Sequence, residues 1–421
     1  MFDIIKYPTR STFATLCERP ALESNSLDSL IADVYAQVKS NGDQALIDYT
    51  KQFENREITN LIYSNEEINL LASQTAPELQ EAIRVAYTNV YTFHKSQVLV
   101  ENRIETSPGV VCWQKSSPIE KVGIYIPGGT APLFSTILML AIPAQIAGCQ
   151  EIILCTPGIH PALFFAAKLC GVTKMCKIGG AQAIAALALG TESVPQVYKI
   201  FGPGNQYVTA AKMMANSMGI AIDMPAGPSE VAVYADASAN PQFIAADLLS
   251  QAEHGNDSQV VLISTEESII QQTIVELQKQ LETLPRKAFA VNSLAFSKFI
   301  LVNDESDAQY LLNTYAAEHL ILACENPEKF SDAIYNAGSI FLGHYTPEAA
   351  GDYASGTNHT LPTNGFAHAY SGVNLDSFVK KITLQSITKT GINALGQSIV
   401  VMAEAESLQA HANAVKFRMD S

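Results

Sequence analysis

Gln251 and His254 could together bind a metal ion. They are three residues apart at the end of a predicted helix that starts near Pro241, so they share one helix face, and Gly255 supplies a stop signal. Histidine is a common zinc ligand, whereas glutamine is an uncommon one, so Glu253 is an alternative. A capped helix end with a polar face and no metal fits the same residues.

An acid and a histidine stand side by side at Glu318 and His319, where a predicted helix gives way to an apolar strand. An imidazole with a pKa of about 6.5 can accept and return a proton at neutral pH. Adjacent residues do not share a helix face, so a joint role requires the pair to lie at the transition. The alternative is a histidine at a helix end that forms ordinary hydrogen bonds and has no catalytic role.

A loop of small polar residues over 351–359 holds two further candidates. Asp352 is an acceptable metal ligand, and His359 could be a ligand, a partner of a ligand or only a loop residue. The loop could equally be a solvated connection between two elements.

The C-terminal segment carries Glu406 and His411, five positions apart. On a helix this spacing corresponds to about 140° of rotation, so the two side chains diverge unless the helix ends or bends between them. Exposed helix residues are the ordinary interpretation. A shared role makes more sense if the tail packs on another subunit.

Four loops rich in glycine or proline could approach a cofactor or a substrate. Glycine lets backbone N–H groups come close to an anion, and a helix N-terminus adds a favourable dipole. None has the full dinucleotide-binding fingerprint, and ordinary tight turns explain them at least as well. In the loop over residues 224–230, Ser229 could present its hydroxyl to a polar substrate. The loops are Pro127-Gly-Gly-Thr130, Gly179-Gly-Ala-Gln182, Phe201-Gly-Pro-Gly-Asn205 and Met224-Pro-Ala-Gly-Pro-Ser-Glu230.

Repeated strand and helix patterns must position these residues. From about residue 120, short apolar runs alternate with helical patterns, which predicts parallel sheets with helices on both faces. Ligands in such folds gather at the carboxyl ends of the strands, so we expect the site there. The predicted strands are 122–126, 152–155, 198–201, 231–234, 260–263 and 299–302. The predicted helices are 161–170, 181–189, 205–218, 241–253 and 266–283.

Both ends of the chain are predicted to be helical. Near the N-terminus, apolar residues share one helix face over 30–38, and Gly42 follows as a plausible stop. From residue 374 onward the strand pattern disappears, which predicts a helical tail to the end of the chain.

Composition narrows the class of protein. The chain has 421 residues, of which 48% are hydrophobic, so roughly two to three domains with sizeable cores are expected. A net charge of −15 argues against general affinity for nucleic acid or anionic membranes. Residues 122–150 lack charge, but prolines interrupt them, and a buried strand–loop–helix unit is expected rather than a membrane span.

The cysteines and the N-terminus indicate the compartment. Seven cysteines include no Cys-x-x-Cys pair, which indicates neither a disulfide framework nor a thiolate zinc site. The first ten residues have an early Asp3 and lack a long apolar core, so they do not form a secretory signal. We therefore expect a cytoplasmic protein.

Six segments, in the same order and over most of the chain, resemble the histidinol dehydrogenase family. One departure is His368, where an arginine is expected in many relatives. The segments are Tyr125-Ile-Pro-Gly-Gly-Thr130, Gly179-Gly-Ala-Gln-Ala-Ile-Ala185, Phe201-Gly-Pro-Gly-Asn205, Ala226-Gly-Pro-Ser-Glu230, Leu249-Ser-Gln-Ala-Glu-His254 and Gly351-Asp-Tyr-Ala-Ser-Gly-Thr-Asn-His359.

The resemblance implies a zinc-dependent enzyme that oxidises L-histidinol to L-histidine through the aldehyde, a four-electron reaction with two NAD⁺. His319 would be the base, and Glu318 would deprotonate the water of the second step. The implied zinc ligands are Gln251, His254, Asp352 and His411. These four residues would also contact the substrate, together with Ser229, His319 and Glu406. The NAD site would be lined by Tyr125, Gln182 and Asn205.

The resemblance also implies an intertwined homodimer with two incomplete Rossmann-like domains, a helical N-terminal region and a small helical C-terminal tail. We expect the domains at the following residues: an N-terminal arm over 1–19, a discontinuous domain with the zinc and catalytic residues over 20–124 and 231–373, an NAD-binding domain over 125–230, and a tail over 374–421 that reaches the partner subunit.

Three alternatives remain open. A cysteine such as Cys112, Cys149 or Cys155 could attack the aldehyde to form a thiohemiacetal. A zinc hydrolase with Glu318 as its base would need no NAD. A non-catalytic ligand-binding protein with a structural zinc would bind without turnover.

Overall fold

The computed structural model describes residues 3–19, 27–129, 131–225 and 227–419. Thr130 and Ala226, which belong to two of the motifs, and residues 20–26, which begin an expected domain, lie outside the described residues. The described residues form two parallel sheets and one antiparallel sheet, with helices packed on the parallel ones. The predicted α/β class is therefore confirmed.

The predicted elements between residues 120 and 302 are all present, and their ends differ from the prediction by at most two residues. The strands are β1 (Ile4–Lys6), β2 (Ile104–Ser107), β3 (Val110–Pro118), β4 (Lys121–Tyr125), β5 (Glu151–Cys155), β6 (Lys174–Cys176), β7 (Lys199–Phe201), β8 (Ala221–Ile222), β9 (Glu230–Ala235), β10 (Gln259–Ser264), β11 (Lys298–Leu301), β12 (His319–Ala323), β13 (Ser339–Leu342) and β14 (Val379–Ile387). The α-helices are α1 (Phe13–Leu16), α2 (Leu27–Glu54), α3 (Asn65–Ser73), α4 (Pro77–Lys95), α5 (Phe134–Ala147), α6 (Pro161–Leu169), α7 (Gly180–Leu189), α8 (Gln206–Ser217), α9 (Pro241–Ala252), α10 (Glu267–Leu281), α11 (Lys287–Leu294), α12 (Glu305–Tyr315), α13 (Pro327–Ser331), α14 (Glu348–Tyr353), α15 (Lys389–Ala405) and α16 (Gln409–Met419).

The larger parallel sheet has six strands in the order β1, β11, β10, β9, β12 and β13. Its central strands are buried on both faces, which explains their continuous apolar sequences. Along β9, Val231 and Val233 pack in a core with α9 and α10, whereas Ala232 and Tyr234 pack in the opposite core with α12. The alternation follows from the two-residue period of a strand.

The smaller parallel sheet has five strands in the order β6, β5, β4, β7 and β8. Helices α5 and α6 contribute to one buried core and α7 and α8 to the other. The uncharged run 122–150 forms β4, a loop and α5, as expected. None of the described helices is both long and apolar enough to cross a membrane.

The N-terminal helices pack on the five-stranded sheet rather than the six-stranded one. Helix α2 contacts α7 and α8, α3 contacts α6, and α4 contacts α5. The apolar stripes of these helices, such as Ile31, Val34 and Val38 on α2, are buried in the cores of the smaller sheet. The expected division, which assigned 20–124 to the domain with the catalytic residues, stays a prediction.

Gly42 ends the first helical segment of α2, as the sequence predicted, and a second helical segment begins after it. It adopts a positive φ of 51° inside α2, and helical structure continues on both sides of the resulting kink. A Cβ at this position would clash with the carboxylate of Glu192. The Glu192 side chain could move aside, so the positive φ is the reason that glycine is favoured at this position.

The C-terminal tail begins with a strand, so the prediction of an entirely helical segment from residue 374 is wrong for 379–387. Strand β14 pairs antiparallel with β3, which also pairs with β2. Its partner lies more than 250 residues earlier in the chain, and such pairing leaves no local signal. Helices α15 and α16 follow and pack on each other, which confirms the helical remainder of the tail.

Candidate functional site

A cleft of about 930 Å³ lies between the two parallel-sheet domains. The smaller domain contributes residues that follow its strands, including Gly202 after β7 and Asp223 after β8. The larger domain contributes residues that precede its strands, including Ser229 before β9, Ser258 before β10 and Glu318 before β12. The expectation of carboxyl strand ends is therefore right for the smaller sheet and wrong for the larger one, which presents its amino ends.

The pair Glu318 and His319 lies at the helix-to-strand transition that the sequence predicted. Helix α12 ends at Tyr315, Ala316 turns the chain with a positive φ of 51°, and β12 begins at His319. Both side chains are buried. The backbone N–H of Glu230 donates to Oε2 of Glu318 at 2.9 Å, and Nδ1 of His319 donates to the Glu230 carbonyl at 3.2 Å.

Burial and neighbouring charges shift the pKa of both members of this pair. Burial raises the pKa of Glu318 to about 7. Burial opposes a charge on His319, but the carboxylates of Glu348, Glu318 and Asp352 outweigh it and raise the pKa of the imidazole to about 10. Glu318 can therefore exchange a proton near neutral pH, which is the property required of a general base.

Two acids from helix α14 complete the surroundings of His319. Oδ1 of Asp352 lies 3.5 Å from Nε2 of His319, and Oε1 of Glu348 lies 3.8 Å from its Nδ1. Ligand atoms of His319, Glu348 and Asp352 lie within 4.8 Å of one another, so the three could also hold a metal ion. Sequence reasoning missed Glu348. Its spacing of four residues from Asp352 on one short helix was the available signal.

The end of helix α9 supplies the predicted pair Gln251 and His254. Nε2 of Gln251 lies 3.3 Å from Nδ1 of His254, so the two side chains lie together, although α9 ends at Ala252 and His254 lies in the turn that follows. Oε1 of Gln251 is buried and has no hydrogen-bond partner among the described residues. An unpaired buried amide oxygen is costly unless a ligand satisfies it, so this atom fits a cation. His254 lines the cleft, whereas Glu253 is not among its lining residues.

Asp352 carries the charge that a cation would need. Burial opposes ionisation of its carboxyl group, but His319, His359 and His254 outweigh that effect and lower the pKa of Asp352. Nδ1 of His359 donates to the Asp352 carbonyl at 2.7 Å, and Nε2 lies 3.0 Å from Oγ1 of Thr136. Both ring nitrogens of His359 thus have protein partners, so this histidine supports the Asp352 loop.

The predicted NAD residues divide into two groups. Asn205 lines the cleft, and its Oδ1 accepts hydrogen bonds from Tyr207 N and Val208 N, which caps helix α8. Tyr125 and Gln182 are buried and are not among the described residues that line the cleft. The Tyr125 hydroxyl accepts a hydrogen bond from Gly180 N at 3.1 Å. Nε2 of Gln182 has no partner among the described residues.

A buried ion pair holds the glycine loop that follows β7. Nζ of Lys212 donates to the Gly202 carbonyl at 3.0 Å and pairs with Asp223, which accepts from Gly202 N at 2.8 Å. Gly202 has a positive φ of 129°, and a Cβ there would clash with the Tyr125 carbonyl. Sequence reasoning missed Lys212 and Asp223. A lysine among the buried small residues of α8 was the available signal.

The tail residues Glu406 and His411 do not join the site within one chain. Both are exposed; helix α15 ends at Ala405, just before Glu406, and Ser407 turns the chain with a positive φ of 60° before α16 begins. Their side chains form no hydrogen bond or ion pair with the described site residues. The predicted break between the two positions is therefore present, and their link to the site stays a prediction.

The geometry does not support the alternative in which a cysteine attacks the aldehyde. The described residues that line the cleft include none of the seven cysteines. Cys155 is buried, and burial raises the pKa of the Cys149 thiol to about 12, which disfavours the nucleophilic thiolate.

Comparison with known proteins assigns the chain to a family. The family model for histidinol dehydrogenase matches residues 17–419. A histidinol dehydrogenase from Bacteroides thetaiotaomicron is 55% identical over 426 residues, which cover 100% of both chains. One from Campylobacter jejuni is 49% identical over 408 residues, covering 96% of this chain and 95% of that protein.

A solved structure has the same fold over the whole chain. The crystal structure of histidinol dehydrogenase from Elizabethkingia anophelis superposes with a TM-score of 0.98 at 52% identity, and the match covers 100% of this chain and 98% of that one. The resemblance noted in the sequence motifs is thereby confirmed. The chain belongs to the histidinol dehydrogenase family.

Proposed function

We propose that this protein catalyses the zinc-dependent oxidation of L-histidinol to L-histidine through L-histidinal with two NAD⁺, the last step of histidine biosynthesis. The proposal is carried by the buried pair of Glu318 and His319, whose imidazole lies 3.5 Å from Asp352, and by the unpaired buried oxygen of Gln251. The names of its relatives supply the substrate. The unpaired cysteines are in keeping with the cytoplasm.

Gln251, His254 and Asp352 would hold the zinc ion, together with His411 of a partner subunit. The unpaired Oε1 of Gln251 and the ionised Asp352 support this set. When bound, zinc would hold the imidazole and the amino nitrogen of the substrate. Zinc would offset the charge of Asp352, which is one of the charges that raise the pKa of His319. The pKa of the imidazole would then fall, so more of it would be unprotonated and able to accept a proton.

The two oxidations require one hydride acceptor each and one proton acceptor each. No side chain accepts hydride reversibly, so NAD⁺ takes it in both steps. His319 accepts the proton of the alcohol as the first hydride leaves. Glu318 then takes a proton from the water that adds to the aldehyde carbon. His319, after it has released its first proton to solvent, accepts the remaining hydroxyl proton as the second hydride leaves the hydrate, which yields the carboxylate.

The tail would reach the site of a second copy of the chain. Helices α15 and α16 contact mainly each other, and Val401, Met402 and Phe417 are exposed on them. Apolar side chains left exposed on one part of a surface commonly mark an interaction site. An intertwined homodimer would bury them and bring Glu406 and His411 to the partner's cleft.

The test of the function is the yield of NADH from limiting L-histidinol. We expect about two NADH per histidinol, because one hydride leaves in each oxidation. Chelation should abolish this yield, and added zinc should restore it. A folded, zinc-loaded protein that forms no NADH would contradict the proposal and favour a hydrolase or a binding protein.

Replacing Lys212 with Met should weaken NADH binding by on the order of tenfold, about the effect of one lost hydrogen bond to the cofactor. The change removes the donor to the Gly202 carbonyl and frees the glycine loop. Fluorescence titration with NADH measures the effect, and a melting curve shows whether the variant is folded.

Lys199→Met is the matched control for this change. Lys199 is a lysine of the same domain whose Nζ donates to the Ser377 carbonyl at 2.9 Å, outside the described cleft lining. The Lys199→Met variant should bind NADH with the same affinity as the wild type. Equal affinities for all three proteins would exclude a role of Lys212 in shaping the cofactor loop.

A further inference from the structure

One residue contacts both members of the catalytic pair through its backbone. Glu230 is the first residue of β9, and its N–H and C=O contact Oε2 of Glu318 and Nδ1 of His319 respectively. Neither contact depends on the side chain of Glu230. Any movement of this peptide would therefore shift the acid and the imidazole together.

The side chain of Glu230 is itself held tightly. Its carboxylate is buried and receives Nε and Nη2 of Arg19, with a distance of 2.8 Å between Nη2 and Oε2. Its Oε1 also accepts a hydrogen bond from Asn364 N at 2.8 Å. A bidentate ion pair between a guanidinium and a carboxylate fixes the relative orientation of the two groups as well as the distance between them.

Arg19 also holds the segment that leads into the catalytic pair. Its Nη2 donates to the Tyr315 carbonyl at 2.6 Å, and its guanidinium lies 4.3 Å from the centre of the Tyr315 ring. Tyr315 is the last residue of α12, three positions before Glu318. One guanidinium thus ties the start of β9 to the helix end from which Glu318 and His319 emerge.

We propose that Arg19 and Glu230 are positioning residues for Glu318 and His319, and this role rests on the proposed function of that pair. Neither is among the described residues that line the cleft, so they act through the backbone of Glu230 and Tyr315. The N-terminal arm is then part of the catalytic apparatus of the larger domain, although its sequence carries no catalytic motif.

A structural role alone does not account for this ion pair. The arm is already attached through β1, which pairs with β11, and through Arg10, whose Nε lies 2.8 Å from Oδ1 of Asp307 on α12. Buried ion pairs contribute little net stability compared with apolar residues of similar size. Their directed hydrogen bonds can instead fix geometry.

Arg10 provides a matched control on the same arm. Like Arg19, it reaches α12, and its guanidinium lies 5.0 Å from the centre of the Tyr310 ring. Unlike Arg19, it is about half exposed and contacts the first half of α12, not the helix end that leads into the catalytic pair. Arg10→Ala therefore loosens the arm without disturbing Glu230.

The experiment compares Arg19→Ala, Arg19→Lys, Glu230→Gln and Arg10→Ala in the zinc-loaded holoenzyme, with melting temperature and zinc content measured beside kcat and KM. We expect Arg19→Ala to lower kcat by about 10- to 100-fold, which is the effect of a small misplacement of reacting groups. The KM for L-histidinol and the KM for NAD⁺ should change little. Glu230→Gln should behave similarly. Arg10→Ala should keep the wild-type kcat.

Guanidinium ion at millimolar concentration should restore part of the kcat of Arg19→Ala and none of any loss in Glu230→Gln. This rescue separates positioning from general destabilisation, which added guanidinium would worsen. If Arg19→Ala does not fold, Arg19→Lys is the alternative variant. It keeps the positive charge but loses the second hydrogen bond to the Glu230 carboxylate, so it should show a reduced kcat at normal zinc content.

Three results would overturn the proposal: a wild-type kcat in folded Arg19→Ala or Arg19→Lys, an equal loss in Arg10→Ala, or no rescue by guanidinium in folded Arg19→Ala. Failure of the proposed function is distinguishable, because the wild-type protein itself would then form no NADH from L-histidinol.

Discussion

The Glu318→Gln variant is expected to oxidise L-histidinol to the aldehyde and to oxidise the aldehyde onward about 10²- to 10⁴-fold more slowly than the wild type. Glutamine keeps an oxygen that can accept the hydrogen bond from Glu230 N, so the backbone geometry is retained. It cannot take a proton from the water that must add to the aldehyde. The first oxidation needs no water, and His319 still accepts its proton.

Separate assays of the two steps measure this effect. The first is NADH formation from L-histidinol in the presence of an aldehyde trap, and the second is NADH formation from L-histidinal. His319→Asn is the matched comparison and should slow both steps, because the imidazole serves both. An equal loss of the two steps in Glu318→Gln would count against a separate role in water activation.

A mixture of two inactive variants is expected to regain about a quarter of the wild-type activity if the site is shared between subunits. Asp352→Asn removes a proposed ligand from the larger domain, and His411→Asn removes one from the tail. Random reassociation makes half of the dimers mixed. Each mixed dimer then has one site with both lesions and one site with neither.

Zinc content provides a second measurement in the same experiment, since the restored sites should also bind the ion. Mixing Asp352→Asn with His254→Asn is the control, because both lesions lie in the same part of the chain and no intact site can form. If the tail served the cleft of its own chain, the Asp352→Asn and His411→Asn mixture would stay inactive.

Local sequence was sufficient for most of the secondary structure around the site. The strands and helices that were predicted between residues 120 and 302 have lengths and apolar periods set by their own residues, and each of them is present, whereas β6, β8 and α11 were not predicted. The transition at Glu318 and His319 was predicted for the same reason. Both signals depend on neighbours within a few residues along the chain.

Contacts between distant segments were not predictable in this way. Strand β14 exists because β3 offers it a free edge, and its own sequence mixes polar and apolar residues without a clear pattern. The N-terminal helices joined the smaller domain because its cores accept their apolar stripes. Periodicity identifies a buried face, but it does not identify the partner.

The sequence by itself indicated the family of this protein, since the six motifs, including those around Gln251 and Asp352, were sufficient for that assignment. Tertiary structure alone decided how the candidate site is assembled: which strand ends form the cleft, that Glu348 faces His319, and that Arg19 contacts both Glu230 and Tyr315. The physical reason is that side-chain identity is local, whereas burial, charge and distance between residues far apart in the chain arise only when the fold brings them together.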